Sequence, residues 1–252
     1  MYKYNIDLIK NDSEFKYYFM GLVAADGYIS SKSNRIEITL CEKDIGILIV
    51  IRDILAPGRP LIYKDNQKAY RLTIECSEIK EEIMKFFNTT DKTNNLVFPY
   101  RIPDAYLNHY IRGYIDGDGN ISVKKGQRKF NDEVRYYYGL RLRIYGTRAF
   151  LQGLHINVKH ICNLTFDAHP HKKGDENLYY LEYGFSAAEK ILSYVYSSAS
   201  YFLYRKKQVY EYIKNSDSSV LAENYGNPDG CYNTHGVGDN EDIVGTRGNT
   251  RV

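Results

Sequence analysis

Two aspartates in closely similar settings, Asp26 and Asp118, lie 92 positions apart, and each is followed by a glycine. The stretches around them, FMGLVAADGYIS and IRGYIDGDGNIS, share a pattern of apolar and small residues that ends in the acid and continues into an alternating run. Such a repeat indicates a duplicated structural unit. If the two segments pack together, the carboxylates meet in a small space, where their repulsion raises a pKa or requires a cation. Mg²⁺ binds one or two carboxylates beside phosphates, and two such ions can stabilise both oxygens of a phosphodiester displacement.

Both aspartates are predicted to lie in the last turn of a helix with one face of small residues. Gly21 and Ala25 are four positions apart, as are Gly113 and Gly117, so each pair lies on one helix face. A glycine in the middle of a helix costs about 0.5–1 kcal/mol relative to alanine, so Gly21 and Gly113 require a compensating contact. Close packing of the two helices at these glycines would supply that contact. We therefore predict a pseudo-twofold helix seam with both aspartates at its end.

The remaining elements repeat in the same order in each half of the chain. Alternating runs such as Arg35–Leu40 and Tyr136–Gly146 predict strands, as do residues 163–171 and 178–186. A helix is predicted over Ser77–Phe87, with Ser77 as its N-cap. The fold class is therefore α+β, a duplicated αββαββα unit with a first repeat over residues 1–100 and a second over residues 101–214.

Composition separates a basic body from an acidic tail. Residues 1–214 carry a net charge of +7, whereas residues 215–252 are rich in Gly and Asn and carry −4. That tail has too few large apolar side chains to offset its ordering entropy, which predicts a mobile segment. The basic body favours a polyanionic partner.

Several other classes are disfavoured by the sequence. No apolar run reaches the length of a membrane span, and the first residues lack the pattern of a signal peptide, so no membrane partner is expected. The four cysteines are far apart and form no CxxC pair, which argues against a disulfide framework or a zinc site and favours a reducing compartment. The DGDGNI stretch lacks the glycine and glutamate that a calcium loop needs at its sixth and twelfth positions, where Ile121 and Gln127 stand.

The two motifs, FMGLVAADG and IRGYIDGDG, closely resemble the paired motifs of the LAGLIDADG homing endonucleases in their single-chain, two-repeat form. The resemblance covers about residues 15–214. It implies two antiparallel, saddle-shaped sheets on duplex DNA, with a central pair of packed helices. It also implies a monomeric endonuclease that hydrolyses both strands of a long target, using two or three Mg²⁺ or Mn²⁺ ions near the paired aspartates.

The resemblance also implies roles for individual residues. Asp26 and Asp118 would be catalytic metal ligands, with the backbone carbonyls of Ala25 and Gly117 as further ligands. Lys92 would act near the scissile phosphates of the first half. Lys206, or its neighbours Arg205 and Lys207, would do so in the second half, although surface lysines alone would give the same pattern. The position two before the acid is Ala24 in the first copy and Asp116 in the second, where at most a supporting role is expected.

The polar faces of the strands are predicted to contact DNA, because a β-ribbon can enter the major groove and mixed donors and acceptors read base edges. The predicted contact residues are Arg35, Glu37, Thr39, Arg71, Thr73, Lys124, Arg141, Arg143, Tyr145 and His169. His169 belongs to the HPH segment, for which a plain surface turn is the simpler interpretation.

Two other functions remain open at this stage. One is a non-cleaving nucleic-acid binder on the same scaffold, either an RNA maturase that acts on intron RNA or a DNA-binding regulator. The other is an endonuclease module inside an intein, which the absence of a splicing-type first residue and of a final His-Asn disfavours. The expected compartment is the cytoplasm or nucleoid of a bacterium or phage-infected cell, with an organelle matrix as the alternative.

Overall fold

The structure is a computed structural model, and it describes residues 2–174 and 177–225. The elements of the first half are α1 (Asp7–Lys10), α2 (Glu14–Asp26), β1 (Gly27–Ile29), β2 (Arg35–Cys41), α3 (Ile45–Leu55), β3 (Leu61–Lys64), β4 (Ala69–Glu75), α4 (Ser77–Phe87) and α5 (Lys92–Asn95). Those of the second half are α6 (Asp104–Asp118), β5 (Gly119–Phe130), β6 (Glu133–Gly146), α7 (Arg148–Ile161), β7 (His171–Lys172), β8 (Tyr179–Gly184), α8 (Phe185–Tyr196), α9 (Tyr204–Asn215) and α10 (Ser218–Tyr225).

Each half contains one four-stranded antiparallel sheet, and the two sheets have equivalent strand orders. The first runs β1-β2-β4-β3 and the second β5-β6-β8-β7. Apolar residues of the central strands, such as Ile36, Ile38, Leu142 and Ile144, are fully buried beneath the helices. The predicted α+β class and the duplication of the unit are confirmed.

The two motif helices, α2 and α6, pack against each other at the predicted glycines. A Cβ atom at Gly21 would lie 2.1 Å from the carbonyl oxygen of Tyr110, and one at Gly113 would lie 2.1 Å from that of Tyr18. Both distances are far below van der Waals contact, so only glycine lets the backbones approach this closely. Tyr18 and Tyr110 are themselves 92 positions apart, so the contact obeys the same pseudo-twofold relation as the motifs.

An ion pair joins the start of α2 to the middle of α6. Arg112 is fully buried on α6, and its Nη2 donates to Oε1 of Glu14 at 2.7 Å at the start of α2. Its other donors meet the carbonyls of Val195 and Tyr201 at 2.7 Å. Each nitrogen of the guanidinium therefore has a partner, as a buried charge requires. The ion pair therefore adds to the glycine contacts a second link between the two halves.

The predicted strand over residues 163–171 is wrong for most of its length, because only His171–Lys172 join the sheet. The backbone N–H of Ala168 donates to His155 Nε2 on α7 at 3.0 Å, and Lys159 binds Asp167 at 2.5 Å. Side chains of α7, rather than a neighbouring strand, thus hold this segment. His155 is buried, and its ring joins α7 to this segment.

Three further differences concern element boundaries. The N-cap of α4 is Cys76, with Ser77 as the first helical residue. The strand predicted over Tyr136–Gly146 is longer in the structure, where β5 and β6 pair continuously up to a turn at Asn131 and Asp132, which both have positive φ. The predicted mobile tail begins with α10, in which Leu221 is buried, whereas residues 226–252 lie outside the described residues.

Candidate active site and nucleic-acid interface

Asp26 and Asp118 are the last residues of α2 and α6, and the seam brings them to one place. A Cβ atom at Gly117 would lie 2.9 Å from Oδ2 of Asp26 and 2.3 Å from Cβ of Ala25, so the first aspartate lies across the seam against the second motif. Burial, followed by the charge of Asp118, raises the pKa of Asp26 to about 7, although the positive charges of Lys206 and Lys92 act in the opposite direction. The charges of the other three predicted catalytic residues therefore all lie close enough to Asp26 to shift its pKa.

Both predicted lysines bind the C-terminal carbonyls of the motif helices. Lys92 Nζ donates to the carbonyls of Val23, Ala24 and Ala25, at 2.9 Å for Ala24 and 3.4 Å for Ala25. Its positive charge therefore lies at the end of α2, where the helix dipole is negative.

Lys206 makes the equivalent contacts in the second half. It is only 8% exposed, and its Nζ donates to the carbonyls of Ile115, Asp116, Gly117 and Gly119 at 2.5–3.1 Å. Desolvation lowers the pKa of Lys206, while the charges of Asp116 and Asp26 oppose that shift. Its neighbours point elsewhere, because Arg205 pairs with Asp44 and Lys207 lies over the ring of Phe202.

The donor set fits a divalent cation held with few protein ligands. Among the described residues, no group of three or more His, Cys, Asp or Glu side chains could hold a metal ion. The paired carboxylates of Asp26 and Asp118 match the one or two carboxylates by which Mg²⁺ is held beside substrate phosphates and water. The predicted carbonyl ligands, Ala25 and Gly117, each already accept a hydrogen bond from a lysine at 3.4 and 3.1 Å. Their use as metal ligands stays a prediction.

The residues two positions before Asp26 and Asp118 differ in chemistry, which makes the two halves of the site unequal. Asp116 is 1% exposed and accepts hydrogen bonds from the hydroxyls of Tyr18 and Tyr196 and from the backbone N–H of Leu203. Ala24, its counterpart, has no polar side-chain atom. The sequence expectation of a supporting role rested on position alone. Its three partners lie 80 or more positions away along the chain, so sequence spacing could not identify them.

In the first sheet, the predicted polar face is formed as expected. Glu37 lies opposite Thr73 and next to Arg71, which donates to it at 3.2 Å. Arg35 and Thr39 alternate with buried Ile36, Ile38 and Leu40 on the same strand. Arg35, Glu37, Thr39, Arg71 and Thr73 thus share one face, with Tyr28, which the sequence analysis did not single out, opposite Glu37.

In the second sheet, Arg141, Arg143 and Tyr145 share a face with Lys124. Glu182 accepts from Lys124 at 2.6 Å and from Arg143 at 2.7 Å. Burial would raise the pKa of Glu182, but these two hydrogen bonds outweigh it and lower the pKa. On the polar face of each sheet, therefore, a glutamate pairs with basic side chains and is surrounded by hydrogen-bond donors. The exposed His169 lies outside the strands, so its predicted position on a strand face is wrong.

Comparison with known proteins agrees with this architecture. No family model matches the sequence. The chain is similar to an uncharacterised cox1 intron-2 protein of 37.2 kDa from Schizosaccharomyces pombe, with 24% identity over 205 residues. That match covers 73% of this chain, and the chain spans 60% of the length of that relative.

Solved structures of similar fold include LAGLIDADG nucleases. The meganuclease I-CpaMI bound to uncleaved DNA has a TM-score of 0.55 and 14% identity, covering 85% of this chain and 94% of that one. I-SmaMI bound to an uncleaved DNA target in the presence of calcium ions has a TM-score of 0.52 and 11% identity, covering 86% and 93%. The resemblance seen in the motifs is thus confirmed at the level of the fold: this chain has the fold of the LAGLIDADG homing endonucleases.

Proposed function

We propose that this protein is a site-specific DNA endonuclease that hydrolyses both strands of a long duplex target in a reaction that depends on a divalent metal. The proposal depends on the arrangement at the end of the helix seam. There the carboxylate of Asp26 lies against Gly117, and the charge of Asp118 raises its pKa. The DNA-bound meganucleases of similar fold support DNA as the partner.

The two aspartates at the end of the seam would bind the metal. Asp26 and Asp118 would together hold Mg²⁺ or Mn²⁺ and orient the attacking water, so that cleavage of either strand would need both carboxylates. The bound metal would supply the positive charge that stabilises the attacking and leaving oxygens.

Lys92 and Lys206 would act as fixed positive charges. The helix C-termini and the two aspartates make the centre of the site negative, which opposes the approach of a phosphate. Each lysine, held by the main-chain carbonyls of one motif helix, offsets that field where the backbone of one strand would lie. The charge is preorganised, so no reorganisation is needed at the moment of reaction.

The polar faces of the two sheets would contact the DNA on either side of the cut. Because both halves lie in one chain, a monomer suffices and the target is expected to be only partly symmetric. If each repeat places one β-ribbon in the major groove on its side of the cut, the two repeats would together span about 20 base pairs of DNA, or about one helical turn for each repeat.

Intron RNA is the second candidate partner. The similarity to a cox1 intron protein favours it and favours an organelle over a bacterial host. A maturase on this scaffold would bind RNA with the same basic body and need not cleave DNA.

The test is selection of cut molecules from a randomised duplex library with Mg²⁺, with Ca²⁺ as a condition for binding alone. Recovery of a long, partly twofold site that is cut on both strands would support the proposal. A site that is bound but never cut would refute the nuclease function and favour a regulator. If no duplex is bound or cut, intron RNA becomes the substrate to test.

A further inference from the structure

We propose that Asp116 is a positioning residue that holds Lys206 in the second half of the site, and that the first half has no equivalent. If the proposed nuclease function holds, cleavage of the two DNA strands should depend unequally on this one side chain, and that consequence rests on the proposed function. Its structural part can be tested without activity.

The carboxylate of Asp116 joins three elements. Oδ2 accepts from Tyr18 Oη on α2 at 3.0 Å and from the backbone N–H of Leu203 at 2.7 Å, and Oδ1 accepts from Tyr196 Oη at 2.6 Å at the end of α8. The group is 1% exposed, so these bonds replace the water that a carboxylate otherwise requires. Asp116 therefore fixes where the chain enters the next helix.

That entry point determines the place of Lys206. Leu203 is the N-cap residue of α9, and Lys206 follows three residues later in the first turn of the helix. Arg205, between them, pairs with Asp44 of the first half through Nη2 at 2.9 Å and Nε at 3.3 Å. The first turn of α9 is thus attached at both sides, and Lys206 Nζ is left among four carbonyls of the α6 end.

The first half lacks this arrangement. The pseudo-twofold counterpart of Tyr18 is Tyr110, and the counterpart of Asp116 is Ala24. Within the described residues, the buried hydroxyl of Tyr110 has no hydrogen-bond partner, as expected where alanine replaces the acceptor. Lys92 instead extends from the four-residue helix α5, whose N-cap is the exposed Asp91. The two lysines occupy equivalent places by different means.

Strand-resolved cleavage by Asp116→Ala tests the proposal on a site that the wild-type protein cuts. Misplacing one charged group lowers the cleavage rate of the DNA strand on which that group acts. We therefore expect the cleavage rate of one strand to fall on the order of tenfold or more, while that of the other strand changes little. Asp116→Asn should restore the ratio of the two rates, because its oxygen can still accept from Tyr18 and Leu203. Tyr110→Phe, which removes a hydroxyl that has no partner within the described part of the chain, should leave the ratio unchanged. Equal loss on both strands would overturn the proposal, because a general loss of folded protein has that effect.

A second measurement is independent of catalysis. Reductive methylation followed by mass spectrometry reports how accessible each lysine is. In the Asp116→Ala protein Lys206 should react on the order of tenfold faster than in the wild type, because the opening is local, while Lys92 keeps its rate. Unchanged labelling of Lys206, or equal increases at both lysines, would overturn the proposal.

Two cases complete the design. If Asp116→Ala does not fold, Tyr196→Phe removes one of the three bonds and should give a smaller bias in the same direction. If the wild-type protein cuts no duplex, the proposed nuclease function fails, and the labelling experiment alone decides whether Asp116 positions Lys206.

Discussion

Substitution of Gly113 by alanine should destabilise the whole molecule, because it forces the motif helices apart. The added Cβ would lie 2.1 Å from Tyr18 O and 2.9 Å from the backbone nitrogen of Leu22, and neither backbone atom can rotate away. Overpacking of this kind costs about 1–3 kcal/mol, and the contact with backbone places this site towards the upper end. Alanine regains about 0.5–1 kcal/mol of helix propensity. The free energy of unfolding should therefore fall by about 1–2 kcal/mol, which for a chain of this size lowers Tm by about 2–8 °C.

Urea denaturation followed by circular dichroism measures this change. The matched control is Gly46→Ala in the first turn of α3, where a Cβ would have no heavy atom within 4 Å. That variant should be as stable as the wild type or up to about 1 kcal/mol more stable. If Gly113→Ala proves as stable as Gly46→Ala, the close approach of the two helices is not present, and the argument that brings the two aspartates together fails with it.

Two further predictions concern buried polar groups on the motif helices. Tyr18→Phe removes a hydrogen bond to the buried Asp116 carboxylate and should lower the free energy of unfolding by about 1.5–3 kcal/mol. Tyr110→Phe, its pseudo-symmetric partner, removes a hydroxyl with no partner in the described part of the chain, so denaturation should show no loss of stability. Equal losses in the two variants would contradict the asymmetry. The second prediction concerns pH. Because burial and the charge of Asp118 raise the pKa of Asp26 from 3.8 to about 7, folding becomes less favourable as pH rises through that range. In EDTA, the stability of the Asp26→Asn protein relative to the wild type should therefore increase as pH rises from 5 to 7.5. Thermal melts measure this difference, and a difference that does not change with pH would refute the raised pKa of Asp26.

The duplicated architecture could be predicted because its signals are local and occur twice. The 92-residue spacing of the motifs, the small residues four apart and the alternation of Arg35–Leu40 each constrain a helix face or a strand face. Residues 163–171 show the limit of that method. Their composition suited a strand, but Lys159 and His155 on α7 bind this segment instead, and side-chain contacts of that kind leave no periodic signal.

The chemistry of the site was predictable only in part. The positions of Asp26 and Asp118 followed from the motif. The choice of Lys206 over its neighbours required the three-dimensional arrangement, in which Arg205 is used by Asp44. The network of Asp116 depends on contacts across both repeats, and no spacing along the chain encodes it.

The most direct test of the central claim is the effect of Asp118→Asn on a duplex target recovered with the wild-type protein. Asn keeps the size of the side chain but removes the charge that a metal ligand needs. Asp104→Asn, at the exposed start of the same helix, is the control for the loss of one carboxylate. We expect Asp118→Asn to bind the target in Ca²⁺ as the wild type does and to cut neither strand in Mg²⁺, while Asp104→Asn cuts normally. Cleavage at the wild-type rate by the Asp118→Asn protein would contradict the assignment of the paired aspartates as the catalytic centre.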